Sequence, residues 1–245
     1  MKEIKPGESR PSFRHAYLGY EHRVGSWAEA NTALPMMFLE DLHCYDLESL
    51  GSKKRNQVRK GLSRVEVRPV EEHDAGWFIE EGLEVNLSAL ARQGWSGDRS
   101  HYTDRRRWEG SVASVLGRPG YFTYGAFKGR RLVAYLRAMA VVDSVYITSA
   151  MSHTDHLQEA PNDALIYSFC SWCRTLPGVR RVIFGLFAAK PSLNRYKEQL
   201  GFRRRDLPTY RWINPAVRWA VRLTRYRHYQ DIGRDIGRGE PQPRG

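Results

Sequence analysis

The sequence is poor in several things that would have fixed its class at once. Three cysteines in 245 residues make no disulfide framework, so the expected home is a reducing cytoplasm. No run approaches the roughly 18 apolar residues of a membrane span, and the opening MKEIKPGESRPSF has no apolar signal core. The GxSxG nucleophile elbow, the GxxxxGK[ST] phosphate loop and HExxH are all missing. No glycine occurs from Arg130 to Pro177, so no glycine-rich phosphate loop lies in mid-chain. Repeats and low-complexity tracts are likewise missing.

What is present is ordinary globular material, 41% apolar and 27% charged. That excludes a disordered regulator and is enough for one domain with a full core. The net charge of +12 is unevenly placed. Gly51 to Arg64 carries six cations and no acid, and Arg203 to Gly245 carries eleven arginines against four acids, so the rest of the chain is close to neutral. Two basic segments, 51–64 and 203–245, would attract nucleotide or coenzyme phosphates, RNA or acidic lipid headgroups. Basic faces that only keep a protein soluble are the plainer alternative.

Hydrophobic spacing predicts a short strand at Met36–Leu42, a helix over Asp46–Leu62 and a strand at Val65–Val70. Helices follow at His73–Ala91 and Thr103–Leu116. Three strand-like runs, Tyr121–Phe127, Arg131–Val141 and Ser144–Ala150, are broken by Lys128-Gly129 and Val142-Asp143 and read as an antiparallel meander. A helix at Asn162–Leu176, a strand at Val179–Leu186, a helix at Ser192–Leu200 and a strand ending at Arg211–Ile213 complete the order. The class is α/β or α+β, with helices packed on a mixed sheet. Residues 1–13 read as a polar lead-in, 14–213 as the domain, and 214–245 as a basic helix with a flexible end.

Cys170 and Cys173 form a CxxC, but no second pair supplies zinc ligands, and both fall on the apolar arc of their helix, so they read as core. His153 and His156 lack a metal-binding spacing, and no metal is expected.

Two stretches resemble the GNAT acyltransferase superfamily, in its FemAB-like branch. SLGSKKRNQVRKGLSRVEV (Ser49–Val67) is similar to that branch's basic first helix, and PNDALIYSFCSWCRTLPGVRRVIFGLFAAKPSLNRYKEQLGF (Pro161–Phe202) to its late helix, Phe-Gly strand and Lys-x-x-x-Gly-Phe helix. The resemblance covers about one GNAT domain, from Phe38 to Ile213. It implies a mostly antiparallel sheet whose central strands part, and acyl transfer to an amine from a carrier lying in the gap. The carrier would be acyl-CoA as co-substrate, with no tightly bound cofactor, or an aminoacyl-tRNA. Its pyrophosphate would meet Met151–Asn162, where Ser152, Thr154, Gln158 and Asn162, with Ser149 on the preceding strand, are the carrier-binding candidates. Tyr146 on the same strand would line the groove or face the core. The usual coenzyme fingerprint is absent there: Gln158 is followed by Glu159, Ala160, Pro161, Asn162 and Asp163.

Lys197 stands where many relatives place a leaving-group tyrosine, with Tyr196 beside it. Asn194, Tyr196 and Lys197 are therefore expected to touch carrier or leaving group. His153 or Asp155, with Glu84 as an outsider, would be the base that aminolysis requires. Lys53, Arg55 and Arg59 would hold an anionic carrier or acceptor. The basic segments would meet tRNA or an acidic membrane surface, giving a peripheral position at the membrane as the alternative location. A non-catalytic GNAT-shaped binding protein is the reading from outside enzymology.

Overall fold

The computed structural model describes residues 19–93, 99–217 and 219. In chain order its strands are β1 (Gly19–Arg23), β2 (Thr32–Leu39), β3 (Glu66–Pro69), β4 (Tyr121–Lys128), β5 (Arg131–Val141), β6 (Ser144–Ser152), β7 (Arg181–Leu186) and β8 (Arg203–Ile213). The helices are α1 (Ser52–Leu62), α2 (Ala75–Gln93), α3 (Ser100–Thr103), α4 (Arg105–Ala113), α5 (Pro161–Cys173) and α6 (Pro191–Gln199). The chain divides into a larger unit, Met37–Gly185 with Ser192–Arg203, and a smaller one drawn from the remaining segments. The β-structure is mixed and mostly antiparallel, flanked by helices, as the sequence predicts.

The larger unit holds the strand order β7-β6-β5-β4-β3, antiparallel except for the parallel pair β6/β7. The first turn of the meander closes as its residues dictate, whereas in the second Val142 takes φ +57°, which a β-branched residue disfavours. Gly129 takes φ +60° between β4 and β5, a conformation glycine adopts without a Cβ penalty. On one face, Phe78 of α2, Trp108 of α4 and Tyr135 of β5 are fully buried, with ring centroids 5.4–5.7 Å apart. On the other, Phe169 of α5 meets Tyr124 edge-on at 5.2 Å, with Trp172 beside them. Cys170 and Cys173 lie in that layer as buried free thiols. Burial pushes the Cys170 thiol up and that of Cys173 up to about 12, which suits packing and not zinc or redox work. Helix α1 lies against α5 so closely that a Cβ on Gly61 would come within 2.6 Å of the Ala160 carbonyl oxygen.

The smaller unit pairs β1 with β8 in antiparallel register from Gly19↔Ile213 to Arg23↔Thr209. Asn31 clamps it, donating to the Arg211 carbonyl and accepting from the Arg211 N–H.

Several boundaries differ from expectation for identifiable reasons. Helix α1 begins at Ser52, because Asp46 and Ser49 first bond each other's backbone in a local turn that competes with helix. The expected helix 103–116 is the shorter α4, with α3 just before it: Asp104 turns extended between them and caps α4 by accepting from the Arg107 N–H at 2.9 Å. Strand β8 ends at Ile213 as expected and reaches back to Arg203, and β1 has no counterpart in the sequence reading. Of the reading of 214–245, all but 214–217 and 219 lies outside the described residues, as do the lead-in 1–13 and residues 94–98. Among the described residues no helix is long and apolar enough to cross a membrane.

Candidate active site

The feature that organises the site is where β6 and β7 stop pairing. Their parallel ladder runs Ser144↔Arg181, Val145↔Val182, Tyr146↔Ile183 and then ends, although β6 continues to Ser152 and β7 to Leu186. Opposite, β6 stays paired with β5 as far as Ser152↔Ala134. A bulge interrupts that ladder: Arg137 faces Ser149 and Ala138 faces Ile147, so Thr148 has no opposite number. A bulge bends and twists its strand, and this one sits just beyond the last β6/β7 pair. The stretch Ile147–Ser152 therefore has a free edge toward β7. Past the same point β7 reaches Gly185 at φ +63°, where a Cβ would find nothing nearer than the Tyr146 hydroxyl at 3.9 Å.

Lys197 reaches this opening from α6. Its Nζ donates at 2.7 Å to the carbonyl of Phe184, the first β7 residue beyond the ladder, and lies 4.9 Å from the Phe184 ring centroid. The side chain is buried, and burial lowers its pKa to about 8, within reach of a proton donor at neutral pH. Asn194, one turn earlier on α6, is buried as well.

Tyr196 is a correction. Its hydroxyl is buried without a hydrogen-bond partner and its pKa is driven up by desolvation and by Asp163, so it is closed to a carrier or leaving group. Its ring lies under Lys54, whose Nζ is 4.5 Å from the centroid and 2.6 Å from Asp163 Oδ1. Lys54, read as part of an exposed basic face, is thus buried in an ion pair with α5.

The segment after β6 also departs from expectation. Ser152 is fully buried and accepts from Asn162 Nδ2 at 3.0 Å. Thr154 donates to the Ser88 carbonyl and accepts from Arg92. Gln158 is exposed on a 3-10 turn, Thr154–Glu159. A helix start can hold phosphate only through unspent N–H groups. Here Pro161 has none, and those of Asp163 and Ala164 both bond to the Ala160 carbonyl. The start of α5 therefore offers a phosphate fewer free amides than the resemblance implies. Ser152 and Thr154 are spent on internal bonds.

His153 follows β6 directly. Its Nδ1 accepts from the Asp155 N–H at 3.3 Å, which requires the ring to be unprotonated there. Burial holds its pKa below the ordinary value, against an opposing pull from Asp155. Asp155 is itself largely exposed, with Oδ2 3.9 Å from His153 Nδ1. Glu84 is exposed and pairs with Arg131.

On α1, Arg55 and Arg59 are ion-paired with Glu48, six residues upstream of helix residue Lys54. They are therefore not open cations, which corrects the expectation for both. Lys53 is exposed, as are Lys60 and Arg64, and no carboxylate pairs with these three among the described residues. Among the described residues no cluster of His, Cys, Asp and Glu could hold a metal. The sequence reading missed Arg92, which ties α2 to the Ser152 carbonyl, the network Lys128–Glu159–His156, and Arg137.

No family model matches the chain, and no curated protein does. Solved structures do. FemX is similar over 79% of this chain and 65% of its own, at 11% identity and a TM-score of 0.59. The fold is GNAT-like. A C-terminal domain from Agrobacterium fabrum, of a protein assigned as a lysylphosphatidylglycerol synthetase, is similar over 83% of this chain and 64% of that one, at 14% identity and a TM-score of 0.54. At such identities the likeness speaks for the fold alone. This chain spans just under two thirds of either length. The GNAT-like fold bears out the resemblance drawn from Ser49–Val67 and Pro161–Phe202, and the β6/β7 opening lies where that resemblance requires a gap.

Proposed function

We propose that this chain is an acyltransferase that moves an acyl group from an activated carrier, threaded between β6 and β7, to an amine. The observation that carries the reading is the free edge of β6 beyond Tyr146, beside the buried Lys197. Strand-edge N–H and C=O groups can grip an extended amide-containing chain, as the arm of a coenzyme or the ester of an aminoacyl-tRNA would demand. The amine nitrogen attacks the acyl carbonyl carbon, a C–N bond forms, and the tetrahedral oxyanion collapses with loss of the thiolate or alkoxide. Neutral His153, beside Asp155, is the base: its Nδ1 takes the amine proton in place of the 3.3 Å bond it accepts from the Asp155 N–H. Lys197, near pKa 8, gives one to the leaving group and recovers it from water.

Acyl-CoA is the first donor. Aminoacyl-tRNA is a second reading with its own support: the spent amides at the start of α5 offer little to a pyrophosphate, while Lys53 and Lys60 on α1 and Arg64 just after it are open cations. The test is product detection by mass spectrometry with acetyl-CoA, longer acyl-CoAs and charged tRNA, each with a mixture of amines. Lys197→Met is expected to lower kcat by about 100-fold or more. A folded protein that forms no product with any donor overturns the proposal and leaves a binding module.

A further inference from the structure

The face of the meander that carries α3 and α4 holds a cavity of about 280 Å³, lined by His101, Tyr102, Ser111, Phe122, Arg137 and Ser149 among others. The cavity is partly open to solvent and has room for a small metabolite. Arg137 is its one half-buried charge. The guanidinium donates at 2.9 Å to the Ser111 hydroxyl and at 2.9 Å to the Ser111 carbonyl, and lies 5.5 Å from the Trp108 ring centroid. These contacts fix its plane and spend two of its five N–H donors. Among the described residues no carboxylate pairs with it. A cation held largely out of water with no carboxylate beside it is costly, and Arg137, half-buried, persists in strand β5 amid LVAYL and AMAV, where an apolar residue would pack at no such cost.

The position of the cavity links it to the reaction. Ser149 lines it, pairs with Arg137 across the bulge, and lies on the part of β6 that has left β7. Thr148, the bulged residue, is a further lining residue. The bulge that frees the edge of β6 is therefore also part of the cavity wall. The remaining walls are aromatic and apolar, with Tyr102, Tyr121, Phe122 and Val115.

We infer that this cavity is the acceptor pocket, and that the acceptor is a small amine bearing a free carboxylate and an apolar side group, its carboxylate received by Arg137. The inference rests on the transferase reading for the word acceptor, but the pocket's preference for a carboxylate is tested without any donor. An arginine with a fixed plane can take a carboxylate through parallel N–H···O bonds, and a monoanion suits a cavity with a single strong cation. The apolar walls would hold the side group while the amine is turned toward Ser149 and the opening.

The experiment is calorimetric titration of the full chain with 3-phenylpropionate and with its neutral isostere 3-phenylpropanamide. Saturable binding of the acid, at least about tenfold tighter than the amide, is expected, since a charged hydrogen bond is worth a factor of this order. Arg137→Met should lose that tenfold while keeping the circular dichroism and melting temperature of the parent. Should that variant fail to fold, Thr148→Trp, placed at an exposed lining position, should block the acid while leaving the Arg137 guanidinium and its two bonds to Ser111 in place; of the Arg137 contacts it removes only the 3.0 Å bond from the Thr148 hydroxyl to the Arg137 carbonyl. Equal binding of acid and amide, no saturable binding of either, or binding unchanged in Thr148→Trp would each overturn the pocket. Transfer to neutral amines as readily as to amino acids would do so too, leaving the transferase standing. Carboxylate binding without transfer from any donor would spare the pocket as a ligand site and overturn the transferase.

Discussion

Breaking the ion pair Lys54–Asp163 separates a structural lysine from a ligand-binding one. Its atoms are 2.6 Å apart with side chains 4% and 12% exposed, so both charges have given up most of their hydration. Removing one partner strands the other, at a typical cost of about 3–5 kcal/mol. Lys54→Met leaves Asp163 uncompensated near the start of α5, and Asp163→Asn leaves a buried ammonium over Tyr196. Lys54→Met with Asp163→Leu removes both charges and keeps apolar volume, and is expected to cost within about 1 kcal/mol, including the small helix-dipole benefit of Asp163. Against a whole-chain stability of roughly 5–15 kcal/mol, each single change is large. At about 2–4 °C per kcal/mol for a protein of this size, it is a fall of roughly 6–20 °C in Tm. Guanidinium denaturation followed by circular dichroism, with unchanged m-values, measures all three variants. A Lys54→Met protein that loses under about 1 kcal/mol, with no recovery in the double variant, would refute the pair and return Lys54 to the open basic face.

Three further outcomes follow from the same geometry. Tyr196→Phe deletes a buried hydroxyl that has no partner, so stability should hold or rise by up to about 1 kcal/mol, and transfer should be unchanged; a large loss of kcat would put the hydroxyl back in the chemistry. Gly61→Ala should destabilise by about 1–3 kcal/mol, because its Cβ would meet the Ala160 carbonyl oxygen at 2.6 Å and force α1 off α5; a neutral result in urea unfolding would show the two helices less closely packed. His153 is held below its ordinary value, so its contribution to stability is complete above the unfolded value near 6.5 and is lost as pH falls through that point toward the lower folded one. His153→Gln should flatten that part of the stability–pH curve, and an unchanged slope would remove His153 as its source.

The meander, α5, β7 and α6 were legible because period-two runs, glycine and proline breaks and a proline at a helix start are local signals, and local signals survive in one sequence. What resisted was pairing at a distance. The expected basic face of α1 ignored that Lys54 finds Asp163 109 positions away, and that Glu48 reaches back over Arg55 and Arg59. Likewise Ser152 and Thr154 read as open loop hydroxyls because nothing local shows that Asn162, Ser88 and Arg92 consume them. Strand β8 went largely unread because RRRD looks like a solvated tail until β1 pairs with its later residues. Arg137 is different, since its signal was there to be used: one cation inside LVAYLRAMAV has to find a partner or a purpose. Packing supplies a serine and a tryptophan face, which orient the guanidinium but do not neutralise it. The bulge beside it, which no residue type announces, decides the rest, because the same unpaired Thr148 that bends β6 away from β7 also brings Ser149 level with Arg137. A gap for one substrate and a cavity for the other thus share a single irregularity of one strand, and a change that straightened β6 at Thr148 would be expected to weaken both together.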